Sequence, residues 1–584
     1  MVTMTSHLLP RRLPAALLLA MAMSTAAAPV RAQRAAAPPP GFDAYVARVM
    51  REFSVPGVAV AIVKDGQVVL ARGYGVREMG KPDPVDARTQ FGIASNTKIV
   101  TATALGLLVE EGKVEWEAPV IRYLPWFAMY DPYVTRELTV RDLLVHRSGL
   151  GLGAGDLLWW PPSTYDRKEI ARRLRFIPPA TSFRTAYAYD NVLYLIAGEV
   201  IEAVSGQTWE EFVGSRILRR IGMTASDVRH SAAAGGPGTN VATPHAAVND
   251  TVRPVQPFLS DNTNPAGGIM SGAEDMAKWV LVQLDSGRIA GGERLYSAAT
   301  TRQLWRDVTP TGIGGAPPGF EHLRPNFSGY ALGLGVRDYR GRKLLQHTGG
   351  LPGYVSKVAM IPAERLGVVV LTNQESGLAF ESIVLRVLDH YLGVKPAPDY
   401  LAYFSGVAAR DRAQLEREGQ AAAAQRDSTS RPSLPLERYA GTYRDAWYGD
   451  ITIAVEDGGL VIRFTRSPSL VGDLVHWQHD TFLARWRDRE LRADAYITFA
   501  LEPDGSIDQA RCCRRIPRAE RVRQGARGKT VMASRTARSA HSMTAVVPTA
   551  EISGKLQVST SASGASRAAT GKRICPGRSR GRLV

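Results

Sequence analysis

The chain has 584 residues, 45% hydrophobic and 22% charged, enough length for more than one domain and enough apolar content for a sizeable core. Its formal net charge of +17 does not mark a polyanion-binding surface, because residues 510–584 hold 17 Lys+Arg against 2 Asp+Glu while the other 509 residues balance 55 against 53. Nucleic acid is excluded as a partner on that ground. All three cysteines (Cys512, Cys513, Cys575) lie in the same basic stretch, so the body has neither a disulfide framework nor a thiolate metal site.

Residues 1–32 read as a signal peptide. Arg11-Arg12 supply the basic start, and Leu13 to Ala22 is apolar but too short to span a bilayer. Cleavage fits either Ala26-Ala27-Ala28 or Val30-Arg31-Ala32. Residues 33–41, with Pro38-Pro39-Pro40, form a stiff spacer. The expectation is an exported protein, periplasmic or secreted, with no stable membrane span once the signal is removed.

A domain at 42–395 follows. Phe42, Tyr45, Val46, Val49, Met50 and Phe53 repeat as on an amphipathic helix that Pro56-Gly57 ends. Val58 to Val63 and Gln67 to Gly73 are apolar strands joined through Lys64-Asp65-Gly66, a hairpin signal. Ile99 to Val109 is a buried helix with Gly112 past its end. Trp116 to Arg324 is mostly helical. Thr139–Asp142 and Ser271–Glu274 look like capping boxes, the second starting a helix over Asp275 to Leu284. The loop Leu157 to Pro162, with Trp159-Trp160, either walls a pocket or packs over the core. Strand character returns at Tyr330–Val336, Lys343–His347, Ser356–Ile361 and Leu366–Asn373, and Phe380–Leu392 closes with a helix. The fold class is α+β: a largely antiparallel sheet flanked by helices, with an all-helical inserted region. Residues 396–433 read as a charged, Ala-rich linker, and 434–510, with short alternating strands and Asp-Gly turns, as a small all-β barrel. Residues 511–584 have a disordered composition. The break falls inside a strand-like run, so this tail is expected to be dispensable or a reading-frame artefact.

Three polar sets sit on these apolar elements. Ser95 and Lys98, at the start of the buried helix, lie three residues apart and so share a face. A serine hydroxyl attacks only when something takes its proton, and a lysine in an apolar setting loses charge readily. The spacing arises by chance about once in such a chain and carries weight only in company. Tyr189-Asp190-Asn191 precedes the apolar helix Val192 to Val204. Tyr189 is a general-base candidate if neighbouring cations lower its pKa, or a core tyrosine beside an Asn cap. His347-Thr348-Gly349-Gly350 ends a strand, where paired glycines let backbone approach a ligand, or simply turn. His476 and His479 could bind a metal but read more simply as strand decoration.

Taken together and in this order, Ser-x-x-Lys, Tyr-x-Asn and His-Thr-Gly resemble the serine β-lactamase and penicillin-binding-protein superfamily. The flanks, Leu138 to Leu150 with Leu-Leu-x-His-x-Ser-Gly and Gly267-Gly268-Ile269-Met270-Ser271, are similar to its class C-related branch of esterases and D-amino-acid peptidases. The resemblance covers residues 42–393 and extends to the barrel appended in many relatives. It implies a β-lactamase/transpeptidase-like fold in which Ser95 forms an acyl-enzyme, Lys98 and Tyr189 shuttle the proton, and Asn191 orients a substrate amide. His347, Thr348, Gly349 and Gly350 bind substrate, and the N–H groups of Ser95 and Gly350 form the oxyanion hole. No metal or organic cofactor is implied. His347 stands where β-lactamases usually carry Lys, which favours esters or D-residue peptides over β-lactams. The partner is thus a small-molecule ester or peptide. The alternatives are a β-lactamase and a non-catalytic penicillin-binding or sensor protein.

Overall fold

The structure, a computed structural model, describes residues 36–236, 238–316, 318–514 and the pair 557–558. The stretch that reads as a signal peptide and nearly all of the basic tail lie outside the described residues. Of the chain's two units, Met1–Ala37 is almost wholly among the undescribed residues, and all that follows concerns Pro38–Val584.

The first hairpin forms where the sequence turns tightest. β1 (Gly57–Lys64) and β2 (Gln67–Gly75) pair antiparallel across Asp65 (φ 51°) and Gly66 (φ 81°). Two left-handed residues make a turn whose twist matches that of the strands. The later strands are β3 (Thr309–Pro310), β4 (Ser328–Tyr330), β5 (Gly335–Tyr339), β6 (Arg342–Leu351), β7 (Tyr354–Ile361) and β8 (Leu366–Thr372). They complete an antiparallel sheet in the order β2-β1-β8-β7-β6-β5-β4-β3, so the first and last strands of the domain are neighbours. β1, β7 and β8 are buried on both faces, which explains their continuous apolar runs.

Helices cover both faces. α1 (Phe42–Glu52) and α5 (Gly377–Tyr391) share one core, built on Val46, Val49, Phe380, Ile383 and Val387. On the other face lie α2 (Thr97–Glu110), α3 (Val192–Ser205) and α4 (Ala273–Leu284). α2 is buried all round, from Thr97 through Leu108, as a helix at the centre of a core must be. Its end is marked by Gly112 at φ 69°.

Several local expectations change. The strand read over Tyr330–Val336 is two strands, β4 and β5. Between them Gly333 (φ 81°) presses on α2, so closely that a Cβ there would sit 2.8 Å from the Lys98 carbonyl carbon. The box at Ser271 does not form: α4 starts at Ala273 with no side-chain cap, and Ser271 Oγ lies 2.8 Å from Ser226 Oγ instead. The Thr139–Asp142 box does close, through bonds of 3.0 and 3.2 Å, but nucleates only the 3-10 turn Asp142–Leu144. The inserted region also carries a hairpin, His245–Val248 with Thr251–Pro254.

Most of the stretch read as a linker is α6 (Tyr400–Ala424), a 25-residue helix rich in Ala, Arg and Glu. It leads to β9 (Gly441–Asp445), β10 (Gly449–Glu456), β11 (Gly459–Phe464), β12 (Val471–Gln478), β13 (Thr481–Trp486), β14 (Ala495–Leu501) and β15 (Ile507–Arg514). Each pairs antiparallel with the next in a nearly closed barrel, and Gln557–Val558 pairs with β9. β15 runs through position 510, so the compositional break lies within the last barrel strand. The barrel is fastened to the first domain at separate points. Thr164 N donates to Arg466 O at 2.8 Å, Arg173 to Trp447 O at 2.9 Å, and Arg253 pairs with Glu490 at 2.8 Å. No described helix is long and apolar enough to cross a membrane.

Candidate active site

Ser95 stands in a single 3-10 turn, Ala94–Asn96, that runs directly into α2. Ala94 before it has φ 50°, a left-handed conformation that costs an L-residue roughly 1–3 kcal/mol. The turn is held by β6 and β7. Ser356 Oγ donates to Ile93 O at 2.7 Å and receives Asn96 Nδ2 at 2.8 Å. Gly349, opposite Ser356 in the ladder, lies so close that a Cβ would meet Ile93 O at 2.1 Å. Gly349 therefore allows β6 to touch the serine turn, which a plain turn would not require.

One helical turn on, Lys98 is fully buried. Its Nζ lies 3.0 Å from Ser95 Oγ, 2.8 Å from Asn191 Oδ1 and 2.9 Å from Ala266 O. The amide oxygen and the carbonyl only accept, so they take two N–H groups. A neutral amine then has its lone pair left for the Ser95 hydroxyl. Burial lowers the Lys98 pKa to about 7, outweighing the opposing pull of Asp156 and Asp190.

Tyr189 lies beside this pair. Lys98 Nζ sits 5.0 Å from its ring centroid, and the ring packs on His146 at 4.2 Å. The Ser95 hydroxyl beside the phenol draws its pKa down. Its pKa is nevertheless raised: burial dominates, and Asp156 and Asp190 push the same way. The expectation that cations would lower it is corrected, and Tyr189 is a neutral phenol that can pass a proton rather than a standing phenolate. His146 fixes that ring. Its Nδ1 accepts from Asp190 N at 3.2 Å, which leaves the ring proton on Nε2.

Asn191 does not cap α3 with its side chain; Asp190 Oδ1 takes Leu193 N at 3.1 Å instead. The Asn191 amide turns to Lys98 through its oxygen and to Asp156 through Nδ2, at 3.4 and 3.5 Å. Asp156, fully buried and with its pKa raised by burial, also accepts from Trp159 Nε1 at 3.1 Å. No motif marks Asp156 in the sequence; the one hint is a lone acid between a glycine-rich turn and two tryptophans.

His347 has both ring nitrogens engaged within the protein. Its Nδ1 lies 2.6 Å from Thr348 O, an acceptor, so the proton is there, and Nε2 receives the Tyr330 hydroxyl at 2.8 Å. Burial, with Lys98 nearby, pushes its pKa down to about 3. A neutral imidazole with both nitrogens engaged offers nothing to a carboxylate. Thr348 is buried beside it, while Gly350 opens onto a cavity. The loop Leu157–Pro162, which read equally as wall or packing, does both: Leu158 is in the core, and Trp159 and Trp160 wall the cavity. The opposite wall is barrel, a contribution that nothing in the sequence indicates. His476 lies apart in β12, its Nε2 2.9 Å from His479 O, and the described residues hold no cluster of three His, Cys, Asp or Glu able to bind a metal.

Comparisons with known proteins bear on the family and the fold. A DUF3471 domain, of unknown function, matches residues 425–516. The unguisins hydrolase ungD of Aspergillus violaceofuscus is 27% identical over 80% of this chain and 86% of its own. Protein flp of Staphylococcus aureus is 25% identical over 57% of this chain and 63% of its own. The octameric penicillin-binding protein homologue from Pyrococcus abyssi shares the fold, with a TM-score of 0.52 and 23% identity over 82% of this chain and 98% of that one. The beta-lactamase family matches residues 42–390, well over half the length, and this chain belongs to that family.

Proposed function

We propose that this protein is an exported serine hydrolase that works through an acyl-enzyme on carboxylic esters first, and on D-amino-acid peptides or amides second. The observation that carries the reading is the 3.0 Å approach of Lys98 Nζ to Ser95 Oγ with its other two contacts made to acceptors. Ser95 Oγ attacks the carbonyl carbon while its proton passes to Lys98. The N–H groups of Ser95 and Gly350 meet the oxyanion as it forms. Tyr189 gives its proton to the departing alkoxide or amine and is reprotonated from Lys98. Water then enters, loses a proton to the same pair and releases the acid, restoring Ser95. The neutral His347 supports esters over β-lactams, which carry a carboxylate. The name of the Aspergillus relative supports hydrolysis, and the N-terminal pattern of residues 1–32 supports export.

A fluorophosphonate is expected to label Ser95 and to fail with Ser95→Ala. A panel of p-nitrophenyl esters, D-aminoacyl anilides and nitrocefin ranks the substrates. If Ser95 stays unlabelled and no ester turns over, the reading fails.

A further inference from the structure

Next to Gly350 lies a cavity of about 340 Å³ whose walls come from both domains. Trp159, Trp160 and Phe258 form one side; Pro468, Ser469 and Leu491, from barrel loops, form the other. We propose that this cavity binds a bulky, uncharged apolar group of the substrate, aromatic or branched, beside the scissile bond, and that the barrel is therefore a specificity domain. The inference rests on the acyl-enzyme reading for what happens to the bond and adds which molecules reach it.

Three observations carry it. First, the cavity is tied to the chemistry at two points. Gly350 follows the glycine that touches the serine turn, and Trp159 shares Asp156 with Asn191, which holds Lys98. Second, the one cation among its lining residues, Arg492, is already paired. Glu375 receives both arms of Arg492, at 2.7 and 2.5 Å, and Glu490 receives Arg253 at 2.8 Å and Gln256 N at 2.8 Å. The lining thus offers no unpaired cation to a substrate carboxylate, and His347 offers none either. Third, the Oγ of Ser469 is buried without a hydrogen-bond partner. Concave, mostly apolar walls enclosing a volume of this size are what a small-molecule site presents.

The test uses the full-length protein. Two ester series vary the acyl group from acetyl to 3-phenylpropanoyl and the leaving group from ethyl to naphthylmethyl. At least one series is expected to gain tenfold or more in kcat/KM with the aromatic group. Ser469→Trp, which fills the cavity from the barrel side, is expected to remove that gain, and Trp160→Ala to reduce it. A second readout does not need catalysis: N-phenyl-1-naphthylamine, a neutral aromatic probe, should bind Ser95→Ala with a blue-shifted emission that Ser469→Trp abolishes, thermal melts confirming that both variants fold. If neither series gains, or if gain and probe binding survive Ser469→Trp, the cavity is not the site. Absence of all ester turnover with probe binding intact would instead overturn the acyl-enzyme reading and leave the cavity standing.

Discussion

The guanidinium of Arg492, in the barrel, grips the carboxylate of Glu375, in the first domain, through two hydrogen bonds, and each side chain is only 6% exposed. Glu375 Oε1 also receives Gly353 N at 2.9 Å, at the turn joining β6 to β7. The pair therefore fastens the barrel to the strand that carries Gly349 and Gly350. Arg492→Ala leaves a buried carboxylate uncompensated and is expected to cost about 3–5 kcal/mol. Chemical denaturation would read the loss. Adding Glu375→Gln should recover part of it, because the stranded charge is then gone.

The lysine sets the pH dependence. Lys98 titrates at about 7 in the folded protein and near 10.4 when unfolded. Only the neutral amine accepts the Ser95 proton, so kcat/KM for an ester should rise tenfold per pH unit below 7 and level off above it. Stability also rises with pH, but over a higher window. Below pH 7 the lysine is charged in both states, and burying that charge costs its full penalty. Between 7 and 10.4 the unfolded state binds the extra proton, so stability rises with pH; above 10.4 the penalty is gone. Lys98→Met should abolish turnover yet stabilise the fold, more at pH 6 than at pH 9 by urea titration.

Tyr189 carries its proton as a neutral phenol, and its ring is fixed by His146. Tyr189→Phe keeps that packing and removes only the hydroxyl. A fall in kcat of roughly 10²–10⁴ is expected, with a melting temperature close to that of the parent. Pre-steady-state kinetics should show acylation and deacylation slowed together, since both pass a proton through the same hydroxyl.

Much of this site was legible because its parts sit on strongly patterned elements. A buried helix opening with Ser95 and Lys98, and an apolar helix preceded by Tyr189 and Asn191, follow from periodicity and apolar content alone. What the sequence withheld depends on distant packing. The rise in the Tyr189 pKa comes from burial that no local pattern reports. The neutrality of His347 comes from burial and from Lys98 on another element. Asp156 matters only because Asn191 and Trp159 converge on it. The barrel's part in the cavity is a docking relationship between two domains, and α6 has the charged, Ala-rich composition of a linker, with only Tyr400 and Leu415 buried. The failed box at Ser271 has the same origin, since a tertiary bond to Ser226 took the hydroxyl that a cap requires.

The approach of β6 to the serine turn leaves no room for a methyl group. A Cβ on Gly349 would meet Ile93 O at 2.1 Å, Ser356 Oγ at 2.4 Å and the Ala94 Cβ at 2.9 Å. Two of these atoms belong to the segment that holds Ser95, so relief of the clash must move Ser95, the strand or both. Gly349→Ala is expected to cost about 1–3 kcal/mol by overpacking. Its effect on kcat should be larger than that stability loss implies, because a shift of about 1 Å in a reacting group can lower the rate by 10². Gly312→Ala is the control: a Cβ there meets nothing within 4 Å, and the change should leave stability equal or slightly higher. Measuring kcat and denaturation midpoints for the two variants side by side separates a displaced serine from general loosening; a Gly349→Ala enzyme with parental kcat would show that β6 does not position Ser95.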